Sequence, residues 1–240
     1  MKAKILSIVI GNAGTRLSAT VLLIICVLLL VSCSPVTRYS IYMTSDPVRL
    51  VMDAGKQIKD IPLTVASFND ARPIADKATI GSVVKSGEGP IPVTLAAMKP
   101  SSVVTAGVKS YMTRAGYTIL KTSPAWDLKA DSIPGDGGQF VLGGSIDEME
   151  VSCEKSAWKA NYKTKVTLSI YLADVKKGAV VYTNTVKGDS SRQDISITDK
   201  NMRRHLAAEI NDAVTDAIAK LINPKTINRI IRGDSTEKTP

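Results

Sequence analysis

The side chains capable of chemistry are few and poorly grouped. His205 is the sole histidine, which excludes a His-rich metal site and makes any catalytic triad depend on it. It follows Arg203 and Arg204 in an amphipathic pattern, which predicts a surface or stripe-edge position on a helix. Asp147, Glu148 and Glu150 have the side chains of a cation site or of a glycosidase carboxylate pair. Glu148 and Glu150 fall on one side of a strand, however, and exposed strand faces commonly carry such charges. Cys153 lies on a half-apolar strand and reads as a small core residue rather than a nucleophile. The glycines of "GDGG" and "LGG" lack the strand-to-helix context of a phosphate loop and read as turn residues. Asp70 and Arg72, in "NDARP", could clamp a ligand, although a local pair that fixes a loop is the simpler reading. No catalytic residue, metal site or cofactor follows from these patterns, and the chain is not expected to be an enzyme.

Cys33 is different, because its surroundings specify its chemistry. From Val21 to Val31 the chain is unbroken in apolar residues. That is the length of a signal-peptide core and short of the roughly 20 residues needed to span a bilayer. Lys2, Lys4 and Arg16 precede it without an acid, as in a positively charged leader. Leu30-Val31-Ser32-Cys33 then resembles the bacterial lipobox. A thiol at this position takes a diacylglyceryl group as a thioether, small neighbours let a membrane peptidase cut just before it, and the new amino group is acylated in turn. One acyl chain anchors only marginally, at about 0.8 kcal/mol per buried methylene, so two or three are needed to hold a protein. Ser34, in place of the aspartate that retains enterobacterial lipoproteins at the inner membrane, implies passage to the outer membrane. The expected organisation is a signal peptide at 1–32, a lipidated cysteine with its tether at 33–58, one periplasmic domain at 59–232 and a disordered tail at 233–240.

Removal of the leader changes both the charge and the cysteine count, and the fold has no disulfide framework despite an oxidising compartment. The chain has 31 basic and 22 acidic residues, net +9; without the three basic residues of the leader, 28 and 22 remain, net +6. The basic residues are scattered and no aromatic-interleaved patch accompanies them, so a nucleic-acid role is not expected. Of three cysteines, Cys26 leaves with the leader and Cys33 carries lipid. Cys153 is left without an intrachain partner, so no disulfide framework supports the fold.

The elements that position these residues follow from periodicity. "IPLTVASF" predicts a strand, Ser101 to Ala115 a helix ended by Gly116, and "YTILK" a second strand. Tyr162 to Leu172 alternates cleanly and "DVKKG" turns it into a hairpin partner. Upstream, Leu142 and Ile146 share one parity while Met149, Val151 and Cys153 share the other, which predicts a bulge near Asp147 and Glu148. Lys200 to Ile222 predicts an amphipathic helix capped by Thr198 or Asp199, with "KTINRII" adding a short one. The fold class is α+β, a mainly antiparallel sheet with two principal helices packed on one face. Residues 69 to 93 read as a long loop, rich in Gly, Pro and charge. Its Asp70, Arg72, Ile80, Val83 and Val84 are the candidate partner-binding residues, and removal of residues 75 to 89 is expected to leave folding intact.

"VTLAAMKPSSVVTAGVKSYMTRAGYTI" and "KNMRRHLAAEINDAVTDAIAKLINPKTINRII", with the early "VASFNDAR" segment and the lipobox, resemble the YajG-like bacterial lipoproteins. The resemblance covers most of the mature chain and implies an outer-membrane lipoprotein without enzymatic activity. The function that follows is a lipid-anchored structural or interaction module for cell-envelope proteins, its partner an envelope protein or a second copy. The alternative is a lipid-handling auxiliary lipoprotein of a transport system. Replacing Cys33 with Ser should abolish acylation and leave an unprocessed precursor, read by mass and by metabolic lipid labelling. In an enterobacterial host, Ser34→Asp should shift the protein toward the inner membrane on a density gradient.

Overall fold

A computed structural model describes residues 38–44, 61–135, 138–195, 198–222 and 224–232. Cys33 and Ser34 lie outside these residues, as do the leader and the polar tail. In chain order the elements are β1 (Tyr39–Ile41), β2 (Pro62–Val65), β3 (Asn69–Asp70), β4 (Thr79–Lys85), β5 (Ile91–Leu95), α1 (Pro100–Arg114), β6 (Thr118–Ile119), β7 (Phe140–Lys155), β8 (Ala160–Asp174), β9 (Ala179–Asp194), α2 (Asp199–Leu221) and α3 (Pro224–Arg232).

The alternation of apolar and polar residues along β8 makes it the centre of an antiparallel ribbon, with β7 on one side and β9 on the other. The second edge of β7 is shared by three parallel segments in succession. Leu63 pairs with Phe140, Asn69 with Ser145 and Gly81 with Val151. β6 adds to β2, while β5 and then β1 add beyond β4. The architecture is α+β, antiparallel at its centre and largely parallel at its margin.

The predicted bulge is present: Ile146 pairs with Leu168 and Glu148 with Thr167, leaving Asp147 as the extra residue. It resets the parity of β7, so Leu142, Ile146, Met149, Val151 and Cys153 all enter one core. α1 and α2 cover that face. Val104, Val108 and Met112 of α1 and Leu206, Ile210 and Ala217 of α2 are fully buried with Val166, Leu168 and Ile170 of β8. Thr198 caps α2 by accepting from the Asn201 amide at 3.3 Å. α1 ends in a Schellman motif: the Tyr117 amide donates to the Met112 carbonyl and the Gly116 amide to that of Thr113. Gly116 has φ +92°, which the motif requires. His205, on the inner face of α2, is buried rather than at the surface, its Nε2 2.5 Å from Asp194 Oδ2 of β9.

Three expectations are corrected. Residues 69 to 93 are not a long loop: they contain β3, β4 and most of β5, and Ile80, Val83 and Val93 are core residues. Their glycines and charges concealed a strand whose apolar positions are separated by two or three residues. Deleting residues 75 to 89 would therefore remove β4 and open the core. Within the expected tether, Tyr39 and Ile41 of β1 are 2% exposed and the strand pairs with β5. The glycines of "LGG" are mid-strand, not turn residues. A Cβ on Gly143 would lie 2.5 Å from the Trp126 ring, and one on Gly144 2.3 Å from the Phe68 ring. Trp126, from the segment between β6 and β7, seeds a second small cluster with Ala66, Val141 and Ala173 on the face opposite the helices.

Leu168→Ala should lower unfolding free energy by about 2–5 kcal/mol, because a filled core cannot close around the void. Lys165→Ala, three residues earlier on the same strand and exposed, should change it by less than about 0.5 kcal/mol. Denaturant titration of both variants checks the alternation.

Candidate functional site

Between β3 and β4 the chain leaves the edge of β7, and the resulting break in the sheet is a surface cavity of about 440 Å³. Its walls are Arg72 to Ile74, Thr79 to Ser82, and the bulged stretch Asp147 to Glu150. Gly81 permits the closure on the β4 side: its φ is +153°, and a Cβ there would lie 1.7 Å from the Val151 carbonyl oxygen.

Arg72 is 3% exposed and all five of its N–H groups are used. Nε donates to Asp70 Oδ1 at 2.8 Å and Nη2 to Oδ2 at 2.6 Å. Nη2 also donates to the Lys77 carbonyl at 2.7 Å, and Nη1 to the carbonyls of Thr79 at 2.9 Å and Met149 at 3.4 Å. Met149 lies in the part of β7 between its two parallel neighbours, so the guanidinium supplies a donor where a strand is missing. Lys77 returns a hydrogen bond to the Arg72 carbonyl, and Asp76 accepts from the Ala78 amide and the Thr79 hydroxyl. The pair therefore fixes the excursion, and Arg72 has no donor left for a ligand.

The opposite wall is acidic. Asp147 accepts from the hydroxyls of Ser145 and Ser169, both at 2.6 Å, and Glu148 from that of Thr167 at 3.1 Å. Glu150 is exposed, and Ile74 is 40% exposed at the rim. An apolar rim beside carboxylates suits a short apolar side chain next to a positive charge. Among the described residues no group of three or more His, Cys, Asp or Glu side chains is placed to hold a metal ion. Cys153 is buried in the core, which pushes its thiol up to about 11, and no thiolate forms near neutrality.

The structure thus sets Arg72 in one wall of the cavity, with Asp70 bound to it, and separates the pair in role from the other candidates. Ile80 and Val83 are 1% and 0% exposed and cannot meet a partner; Val84, on the opposite face of the same strand, is 42% exposed. The outward row Glu150, Lys165, Asp189 crosses three strands in register, an alternation of sign worth about 0.2–1 kcal/mol per pair. Sequence reasoning missed Gly81 and Met149 as wall residues, since only the pairing of β4 with β7 brings them to the break. It also missed two exposed apolar residues, Trp158 and Ile195. Trp158 could have been found from "SAWK", a turn composition set between two alternating strands.

No family model and no curated protein matches this chain. Among solved structures it is similar to protein XCC0632 from Xanthomonas campestris, described under the family model DUF330. That likeness has 14% identity and a TM-score of 0.54, and covers 82% of this chain and 99% of that one. Hypothetical protein CT253 from Chlamydia trachomatis follows at 9% identity, TM-score 0.43, with 70% and 94% covered. Lipoprotein GNA1162 from Neisseria meningitidis has 11% identity, TM-score 0.36, with 72% and 99% covered. The first likeness shows a shared fold; the other two are too distant to carry an argument. Among the described residues no helix is long and apolar enough to cross a membrane.

Arg72→Lys should destabilise the domain by about 3 kcal/mol, because a point charge cannot replace the five directed donors of a buried guanidinium beside a half-buried carboxylate. Burial alone would raise the Asp70 pKa, but the hydrogen bonds and charge of Arg72 outweigh it and hold the carboxyl below its ordinary value. A carboxyl with a depressed folded pKa contributes its full stability above about pH 4 and loses it as pH falls through the folded value. Asp70→Asn should therefore be less stable than wild type at neutral pH and flatter below pH 4, as followed by denaturant titration across pH.

Proposed function

We propose that this chain is a lipoprotein anchored through acyl chains on Cys33, and that its domain is a non-enzymatic interaction module for cell-envelope proteins at the periplasmic face of the outer membrane. Membership of the YajG-like lipoproteins is part of the same reading, and rests on the lipobox and the two quoted helical segments. The observation that carries the interaction role is the contrast between the two faces of the sheet. The face under α1 and α2 is filled: Leu142, Ile146, Leu168, Ile170, Leu206 and Ile210 are all 0% exposed. A side chain lining a tunnel wide enough for an acyl chain would keep accessible surface, so this interior favours an interaction module over a lipid carrier. Among the described residues nothing covers the opposite face from Glu148 to Glu154. It combines the charge rows, the half-apolar cavity beside Ile74 and the exposed Val84. That mixture of directed charge and modest apolar area suits a protein surface that is met and released.

Photo-crosslinkers placed at Ile74, Glu150 and Lys165 in living cells should capture the same discrete envelope protein, or a second copy of this chain. One placed at the exposed Asp212 of α2 should not. Mass spectrometry of the adducts identifies the partner. Equal yield from both faces, or capture from α2 alone, would overturn the assignment of the open face.

A further inference from the structure

One end of the domain carries features that neither the core nor the open face uses. β7, β8 and β9 finish together there, with Lys155 paired to Ala160 and Ala160 to Asp194. Trp158, in the turn between β7 and β8, is 84% exposed, and Ile195, one residue past the end of β9, is 81% exposed. Two large apolar side chains at the same end of a sheet, both open to water, offer apolar area to a contacting surface. Lys159, Lys200 and Arg38 are exposed nearby and Lys155 is half-buried. Of the acids at this end, Glu88 pairs with Lys85 and Asp199 accepts from the Tyr39 hydroxyl. Asp194 meets His205, and Glu154 is exposed. The balance is positive, and an amphipathic aromatic among lysines is the composition of a membrane interface.

The start of the domain points the same way. β1 runs parallel to β5 with Tyr39 opposite Val93, so the chain reaches Tyr39 from the side of Ile91, which is the side of this end. Arg38 stands level with Pro92, and through the pairs Pro92–Ser82 and Ser82–Ser152 it stands three residues short of Lys155. That is about 10 Å of strand. The five residues from Cys33 to Arg38 reach at most about 18 Å even when fully extended. The tether that the proposed acylation implies therefore joins the domain at this end of the sheet.

We infer that this end of the sheet is a lipid-contacting surface, with Trp158 and Ile195 seated in the headgroup region of the bilayer and the surrounding lysines on anionic lipid. The inference rests on the proposed acylation of Cys33. Its consequence is a fixed posture: the strands stand on the membrane and the open face is presented sideways, parallel to the bilayer normal.

The full acylated chain, extracted from membranes, is reconstituted into phosphatidylethanolamine vesicles containing a minor share of phosphatidylglycerol, with or without bromine on the acyl chains. The sequence has two tryptophans and Trp126 is 3% exposed, so subtracting a Trp158→Phe variant isolates the Trp158 signal. Loss of most of that emission to brominated chains, with a blue shift and protection from aqueous iodide, is the expected result. Lys155→Glu with Lys159→Glu should reverse part of the protection. An acylated, vesicle-bound chain whose Trp158 is quenched by iodide and ignored by brominated lipid overturns the inference and leaves the anchoring intact. Trp158 shielded from both quenchers also overturns it, in favour of a second copy as the covering surface. A chain that carries no acyl group by mass overturns the anchoring reading, and the posture with it.

Discussion

Between Ile146 and Val151 the edge of β7 passes from one parallel neighbour, β3, to the next, β4, while the linking backbone leaves the sheet. A carbonyl left buried and unpaired in such a gap costs about 1–3 kcal/mol. Arg72 supplies donors to the carbonyls of Lys77, Thr79 and Met149 from a single planar group, and Asp70 holds that group in place from the end of β3. β4 brings β5 and β1 with it, and Tyr39 and Ile41 of β1 reach the core under α2. The parallel margin of the sheet is registered on β7 by the pairs from Gly81–Val151 to Lys85–Lys155, while Arg72 fills the gap beside them, and the desolvation of its charge is tolerable because every N–H is matched.

β7 meets unequal demands along its length. Near its start, glycines at 143 and 144 admit Trp126 to one face and Phe68 to the other. In its middle, the extra residue Asp147 turns outward to take two serine hydroxyls and resets the inward parity. Beyond the bulge the strand pairs with β4 and presents Glu148, Glu150 and Glu154 away from the helices. The break in the sheet and the bulge face each other across the cavity, so the same irregularities that allow three neighbours to share one strand also create this concavity.

α2 ties the opposite margin. Gly188 of β9 lies against Ala213 and Ala217 so closely that a Cβ would come within 2.7 Å of the Ala213 carbonyl. Glu209 accepts from the Ser190 hydroxyl at 2.8 Å and His205 meets Asp194 at 2.5 Å. These half-buried polar pairs register the helix along a strand whose other edge has no strand partner among the described residues. They also account for the sole histidine without assigning it chemistry. The helix layer closes one face completely, and function is left to the other face and to the ends.

The antiparallel ribbon and the helices were legible in the sequence because they are local: alternation from Tyr162 to Leu172, the stripe from Met202 to Leu221, the stop at Gly116 and the parity change before Met149 each occupy one stretch of chain. The expectation for Cys33 is local in the same way, since a thiol, its small neighbours and the apolar run are contiguous, and it lies outside the described residues. β1, β3, β4 and β5 were not legible, because short parallel strands acquire their hydrogen bonds from residues far along the chain. Gly81 looks like a loop residue until Val151 lies against it. Arg72 looks like a possible ligand-binding residue until β4 and β7 supply its acceptors. Ile80 and Val83 look like an exposed apolar pair until the helices cover them. Only tertiary pairing decided which charges were structural, which apolar residues were core, and which, at Trp158 and Ile195, stayed exposed.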